Sequence, residues 1–327
     1  MFRLKSAIFL ACAAVANAGC STPEPTTLAS GRDQPWAIAV YGDSVYFSER
    51  AGGTIARVGT NGGAVTTLAA GQLTPTALVT DGRNVYWSTS DGSVMLVPVA
   101  GGEPTMLAKA QSNPNSLATD GVNVYFIDEG SQSAALMEVP VDGGAPVALV
   151  SNVVVAGPIA VDATSVYFFT PADERATYWN IKSVPIDGGP SMMLADSEFE
   201  PIAIAVDATS VYVEAGQPIP HSEGTFVTRI PKVGGTPTNL ARFAVGLLHQ
   251  WPTGFAVDST HVYFVDSDFM KVPTGGGAVE PFAIGVGGDV ANTAIGSGDV
   301  GGFALDAKFV YWTTPTVGTV SKTPKSP

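Results

Sequence analysis

The sequence predicts an all-β fold, a seven-bladed β-propeller of four-stranded antiparallel blades. Three observations carry that expectation. A Val-Tyr-aromatic tripeptide, once varied, occurs at Val45-Tyr46-Phe47, Val85-Tyr86-Trp87, Val124-Tyr125-Phe126, Val166-Tyr167-Phe168, Val211-Tyr212-Val213, Val262-Tyr263-Phe264 and Val310-Tyr311-Trp312. Its tyrosines lie 40, 39, 42, 45, 51 and 48 residues apart, a period that belongs to propeller blades and not to helical repeats. The last repeat lacks an outer strand, and Glu24-Pro25-Thr26-Thr27-Leu28-Ala29 at the other end matches Glu103-Pro104-Thr105-Met106-Leu107-Ala108.

Residues 1–18 carry Arg3 and Lys5, an apolar run and then Ala16-Asn17-Ala18, the small-x-small pattern of a signal-peptidase site. The segment reads as a secretory signal and is too short to span a membrane. Cys12 lies inside it, so the exported chain keeps only Cys20 and can form no internal disulfide. Residues 19–22 form a linker in which Gly19-Cys20-Ser21 resembles the lipid-attachment box of bacterial lipoproteins, although Asn17 stands where that box usually has Leu. Acylation of Cys20 is the expectation; cleavage after Ala18 would leave it a free thiol. The protein is expected to be exported, as an outer-membrane lipoprotein or a periplasmic or extracellular protein.

Losing Arg3 and Lys5 with the signal takes the formal charge from −13 to −15. Such a surface repels nucleic acid and anionic headgroups, so membrane contact is expected only through the anchor. With 45% hydrophobic and 14% charged residues and 37 glycines, the chain suits strands buried on both faces and joined by tight turns.

Residues 75–108 illustrate one blade, with strands A to D running outward from the channel. Four short β-rich runs are separated by Asp-Gly, Pro and Gly-Gly signals. Strand A ends at Asp81, Asp120, Asp162, Asp207, Asp258 and Asp306, with Tyr41 in the first blade. Aspartate opening a tight hairpin accepts backbone amides two residues on, so this row reads as turn chemistry and not as a metal ring.

Two positions earlier stand Ala39, Val79, Ala118, Ala160, Ala205, Ala256 and Ala304, small enough for strands converging on an axis. Their neighbours Ile38, Leu78, Leu117, Ile159, Ile204, Phe255 and Phe303 point the other way, between blades. The Tyr and Phe or Trp of strand B are expected in the same interblade layers. Strand C closes with Pro98, Pro140, Pro185, Pro231 and Pro273, followed by Gly-Gly turns at 101–102, 143–144, 188–189, 234–235 and 275–276. Proline lacks a donor and stands where a ladder ends.

The propeller is expected over residues 23–327, with blades near 35–72, 73–112, 113–156, 157–200, 201–250, 251–300 and 301–327, the last completed by residues 23–31. In such a ring the A–B and C–D turns share one face, the turn face, and the B–C and D–A connections share the other, the loop face. The turns are short throughout. Insertions fall at 170–180, 214–224, 243–251 and the Gly-rich 284–301, all on the loop face over blades 4 to 7. Loops on a rigid scaffold are where recognition concentrates, so the site is sought there.

Asp173, Glu174, Tyr178 and Trp179 lie in one insertion, His221 and Glu223 in the next, and His249 and Trp251 in the third. Aromatics beside carboxylates and histidines suit a sugar, a peptide or a metal-bound ligand, while Trp179 and Trp251 would equally serve to cap blade ends. Asp128, Glu200, Asp266 and Asp268 could supply some of the six to eight oxygens that calcium takes, though no Asp-x-Asp-x-Asp-Gly loop occurs. The Gly-rich run lacks the Lys-Ser/Thr of a phosphate loop.

Gly82-Arg83-Asn84-Val85-Tyr86-Trp87, with Gly92-Ser93-Val94, Gly101-Gly102 and Leu107, resembles the YWTD-type propeller repeat of low-density-lipoprotein receptors and related bacterial secreted proteins. Val310-Tyr311-Trp312-Thr313-Thr314 and Val124-Tyr125-Phe126-Ile127-Asp128 come nearest to the tetrapeptide. The resemblance implies a rigid disc presenting loops to a partner. That family typically has six blades and a following cysteine-rich module, and this chain has neither, so no binding site carries over. No His-Glu-x-x-His, Gly-x-Ser-x-Gly or activated-cysteine pattern occurs. The expectation is a monomeric, non-enzymatic binding scaffold for a protein, peptide or glycan at the cell surface. The alternative is a metal-dependent hydrolase or lyase, lactonase-like, with its site at the channel mouth.

Overall fold

Each repeated tripeptide occupies the second strand of its own four-stranded antiparallel sheet, and seven such sheets close into a ring. The computed structural model describes residues 24–109, 111–130, 134–153, 157–172, 178–216, 224–243, 254–265, 268–283 and 300–326, among which there is no helix. The chain enters as β1 (Thr26–Ala29). Blade 1 is β2 (Pro35–Tyr41), β3 (Ser44–Glu49), β4 (Thr54–Gly59) and β5 (Thr66–Ala69). Blade 2 is β6 (Leu78–Thr80), β7 (Asn84–Ser88), β8 (Val94–Pro98) and β9 (Thr105–Ala108). Blade 3 is β10 (Pro114–Thr119), β11 (Asn123–Glu129), β12 (Ala134–Pro140) and β13 (Val147–Val153). Blade 4 is β14 (Ala160–Val161), β15 (Ser165–Pro171), β16 (Trp179–Pro185) and β17 (Met192–Ser197). Blade 5 is β18 (Glu200–Val206), β19 (Ser210–Gly216), β20 (Thr225–Pro231) and β21 (Thr238–Phe243). Blade 6 is β22 (Phe255–Val257), β23 (His261–Val265), β24 (Phe269–Pro273) and β25 (Glu280–Ala283). Blade 7 is β26 (Phe303–Leu305), β27 (Phe309–Thr314) and β28 (Thr319–Pro324), completed by β1.

The closure expected from the matching ends is present. β1 pairs antiparallel with β28, Thr26 opposite Lys322 and Ala29 opposite Val320, and buries Leu28 and Ala29. The ring is thereby latched by two segments from opposite ends of the chain.

The core is distributed over the seams between blades. Strand B alternates its faces, so Tyr46 packs on the following blade while Phe47 packs on the preceding one. Tyr86 with Trp87, Tyr167 with Phe168 and Tyr311 with Trp312 repeat the pattern, and all six are buried. Two expectations are corrected. The small strand-A residues, and not their larger neighbours alone, pack between blades: Ala39, Ala118, Ala160 and Ala304 each pack into the following seam. Blade faces stack on one another, so the taper is felt where inner strands approach most closely. In blade 6 the left-handed turn glycines are Gly276 and Gly277, at φ 88° and 148°, one place later than 275–276. This restores the spacing from Pro273 that Gly101 and Gly102 have from Pro98.

The aspartate row is turn chemistry with a second function. Asp81 Oδ1 accepts the amides of Arg83 and Asn84 at 2.8 and 2.7 Å, and Asp81 Oδ2 accepts the Tyr86 hydroxyl at 2.9 Å. The same carboxylate–phenol pair recurs at Asp120–Tyr125, Asp162–Tyr167, Asp207–Tyr212, Asp258–Tyr263 and Asp306–Tyr311, at 2.6 to 3.0 Å. At two seams a lysine from the next blade joins it: Lys232 Nζ meets Asp162 Oδ2 at 2.5 Å, and Lys325 Nζ meets Asp258 Oδ2 at 2.7 Å. Valine or isoleucine holds this place at Val99, Val141 and Ile186, against the preceding blade's tyrosine.

These pairs set the pH range of the fold. Burial pushes the carboxyls of Asp162, Asp207, Asp258 and Asp306 up, but the amide, phenol and lysine donors outweigh it, so all four lie below the usual carboxylate range. Unfolded aspartates titrate near about 4, so this contribution is complete above that pH and is lost as acid reaches the depressed folded values. Burial, reinforced by the neighbouring carboxylate, pushes the phenols of Tyr86 and Tyr212 up to about 12. Unfolded tyrosines titrate near about 10, so the phenol contribution is complete below that pH and is lost on approaching the folded value. The melting temperature is expected to be flat from about pH 5 to 9, to fall below about pH 4, and to fall again between about pH 10 and 12. A calorimetric series that stayed flat across the alkaline interval would refute the account.

Candidate functional site

The central channel opens on the loop face in a depression of about 650 Å3, ringed by residues that begin strand A in successive blades. Trp36 comes from blade 1, Thr76 and Ala77 from blade 2, Asn115 and Ser116 from blade 3, Pro158 from blade 4, Ile202 from blade 5 and Phe255 from blade 6. The walls are apolar or backbone, with a few polar groups converging on one side, the general form of a small-ligand or peptide-end site.

Those polar groups are held in place. Asn115 Nδ2 donates to Glu129 Oε2 at 3.0 Å, and Ser116 Oγ donates to the Gly157 carbonyl at 3.1 Å. The Arg50 guanidinium lies over the half-buried Trp36 indole, 4.5 Å from the ring centroid, which combines a cation with an apolar platform. Thr313 Oγ1 donates to the Trp36 carbonyl at 2.5 Å and ties the platform to blade 7. Glu129 itself is exposed, and its Oε2 also accepts Asn113 Nδ2 at 3.4 Å.

The backbone is strained at this rim. Gln34, Thr74 and Ser116 have left-handed φ of 54°, 45° and 50°. Each departure from glycine in that region costs about 1 kcal/mol, and such strain gathers where geometry is set for use. Gln34-Pro35, Thr74-Pro75 and Gly157-Pro158 show the sequence signal that was available, an Xaa-Pro step at the entry of strand A.

The acidic residues that follow strand B engage neighbouring loops. Buried Glu49 accepts Arg32 Nη2 at 2.7 Å, the Asp33 amide at 2.9 Å and the Thr54 hydroxyl. Burial pushes its carboxyl up, and these donors outweigh that and hold it below the usual range. Asp128 accepts the amides of Ser112 and Asn113 at 2.7 and 3.1 Å, which fixes the connection into blade 3.

Of the sequence-predicted residues, Trp179 is buried in β16 within the core between blades 4 and 5, and its neighbour Tyr178 is half exposed. Glu200 opens β18 opposite Gly216, and Asp268 directly precedes β24. Cys20, Asp173, Glu174, His221, Glu223, His249, Trp251 and Asp266 lie outside the described residues. Among the described residues no three His, Cys, Asp or Glu side chains gather into a metal-binding group. Fully buried Glu214, in β19, is engaged within the protein.

No family model matches the chain, and no curated protein matches it. Solved structures do. Virginiamycin B lyase from Staphylococcus aureus is 14% identical with a TM-score of 0.67, over 92% of this chain and 98% of that one. Hydrazine synthase from Kuenenia stuttgartiensis is 15% identical with a TM-score of 0.63, over 92% and 98%. BamB from Moraxella catarrhalis is 14% identical with a TM-score of 0.52, over 88% and 84%. The chain is a seven-bladed β-propeller. At these identities the likeness is one of fold, and the proteins that share it differ widely in what they do.

Proposed function

We propose that this protein is an exported binding scaffold, tethered by a lipid on Cys20, that holds a protein, peptide or glycan segment over the channel mouth without chemical turnover. The observation that carries the reading is the channel mouth itself. A depression of about 650 Å3, with an aromatic–guanidinium platform and a held amide–carboxylate pair, opens where the inner strands begin.

The strand register supports a tether on the opposite side. Thr26 pairs with Lys322, near the end of β28, whereas Ala29 pairs with Val320, nearer its start. Strand C ends at the turn face, so β1 enters from that face and runs toward the loop face. Cys20 stands six positions before Thr26, and six extended residues span about 20 Å. A lipid there would place the turn face toward the membrane and leave the channel mouth pointing away from it. The YWTD-type likeness of the repeat agrees with a disc that presents loops to a partner. The lyase and synthase neighbours share the scaffold alone, so the hydrolase or lyase alternative gains nothing specific from them.

The test is a screen of glycan and peptide arrays with signal-free protein. Replacing Trp36 by Ala together with Glu129→Gln should weaken any hit by at least about tenfold, since hot-spot aromatics dominate such contacts, with the melting temperature held within a few degrees. Coupling the protein to vesicles through residue 20 should leave the affinity unchanged. Hits that survive the double substitution, or that vanish on coupling, would overturn the reading.

A further inference from the structure

The seam between blades 4 and 5 is incompletely filled. A cleft of about 160 Å3 lies there, walled by Ile181, Val213, Ala215 and Ile230. Phe199 and Phe226 also line it, stacked on each other with centroids 4.8 Å apart.

Register explains the gap. In blade 5 the strand-C residue opposite Asn239 is Thr228. In blades 2, 3 and 6 the equivalent position, at the same bulge, is Met95, Met137 and Met270. Each of those methionines reaches into the apolar cluster it shares with the preceding blade. Thr228 is too short to do so, and its hydroxyl instead donates to Asn239 Oδ1 at 2.9 Å. Blades 1 and 7 also have small residues here, but Ala56 and Ser321 are 0% and 6% exposed, so other side chains cover them. Thr228 stays half-buried, facing an open space.

The rim has a defined charge. Asp196 and Glu198 border the cleft, and among the described residues neither takes part in a salt bridge. Arg242 lies over the Phe226 ring, 5.3 Å from its centroid, and is engaged elsewhere in the protein as well. An apolar cavity of about 150 Å3 lined by Leu, Ile and Phe is large enough to take one benzene ring.

We propose that this seam is a binding site for a small arylalkylammonium ion, its ring among Ile181, Val213, Phe226 and Ile230 and its cation at Asp196 and Glu198. The site is separate from the channel mouth and does not rest on the reading of that face.

The probe is 2-phenylethylammonium chloride, titrated into signal-free protein with methyl NMR as the readout. The methyl signals of Ile181, Val213 and Ile230 should shift saturably, with a Kd on the order of 1 mM for a ligand of this size. Ethylammonium, which lacks the ring, should shift none of them, and uncharged 2-phenylethanol should bind several-fold more weakly. Thr228→Met, which installs the side chain that three other blades use, should weaken binding at least tenfold and leave the melting temperature equal or higher. Equal affinity in that variant, matching shifts with ethylammonium, or no shift at these methyls would overturn the proposal. Should Thr228→Met fail to fold, the pair Asp196→Asn with Glu198→Gln decides: it should bring the ammonium to the affinity of the alcohol, and unchanged ammonium binding refutes the site.

Discussion

Removal of residues 24–30 from the signal-free protein is expected to lower its melting temperature by about 10 °C and to make it aggregate on heating. The segment contributes all of β1, and with it buried Leu28 and Ala29 and the ladder to β28. Burial of a leucine is worth about 2–3 kcal/mol and each ladder hydrogen bond about 1 kcal/mol, so the loss is about 5 kcal/mol. In a chain of this size that corresponds to about 10 °C. The deletion also bares β28 along an edge where Val320 and Thr323 are completely buried, and an uncovered edge strand templates association. Differential scanning calorimetry with light scattering reads both effects. A melting curve that coincides with that of the intact protein would show that the ring does not depend on this latch.

Gly302→Val should act on the same closing seam from its inner side, with a fall in melting temperature of about 5 °C or more. A Cβ at Gly302 would stand 2.6 Å from the Trp36 carbonyl oxygen and 3.0 Å from the Ile38 amide nitrogen. Both are backbone atoms of β2, so neither can swing aside, and overpacking of this kind costs about 1–3 kcal/mol or more. Only glycine lets blade 7 approach blade 1 this closely, in a place where the Gly302 carbonyl also accepts the Thr313 amide at 3.1 Å. Gly275→Ala is the matched control, because a Cβ there meets nothing within 4 Å. If the two variants melted together, close contact at Gly302 would not be what holds blade 7 against blade 1. Because the Trp36 platform sits on this seam, the valine variant should also weaken binding at the channel mouth.

The pieces of this fold that could be read in advance are those governed by local rules. The tyrosine period sets the blade number, the alternation in Val45-Tyr46-Phe47 sets which face each ring takes, and Asp81-Gly82 sets the hairpin. Each depends on residues a few places apart, and a strand's two-residue period leaves little freedom once one face is buried. The latch was legible because Glu24–Ala29 repeats a segment whose place was already known. The candidate site was much less so. Insertion length singles out Asp173, Trp179, His249 and Trp251, whereas the described polar rim is built from Trp36, Asn115, Ser116 and Glu129 at the ends of strands A and B, with Arg50 over Trp36, in stretches that carry no unusual composition.

Blade number, strand order and the joining of the two chain ends are thus written in the amino acids themselves, because each follows from a repeat or a turn that neighbouring residues dictate. Which side chains meet across a seam was settled only by the closed ring. Met95 and Thr228 occupy equivalent places in their blades, yet one fills its seam and the other leaves a cleft of about 160 Å3. Lys232 reaches Asp162 across 70 positions of chain, and Trp36 is fastened by Thr313 across 277. Such contacts arise from the angle at which adjacent sheets stack, a property of the assembled disc that no short stretch of sequence contains.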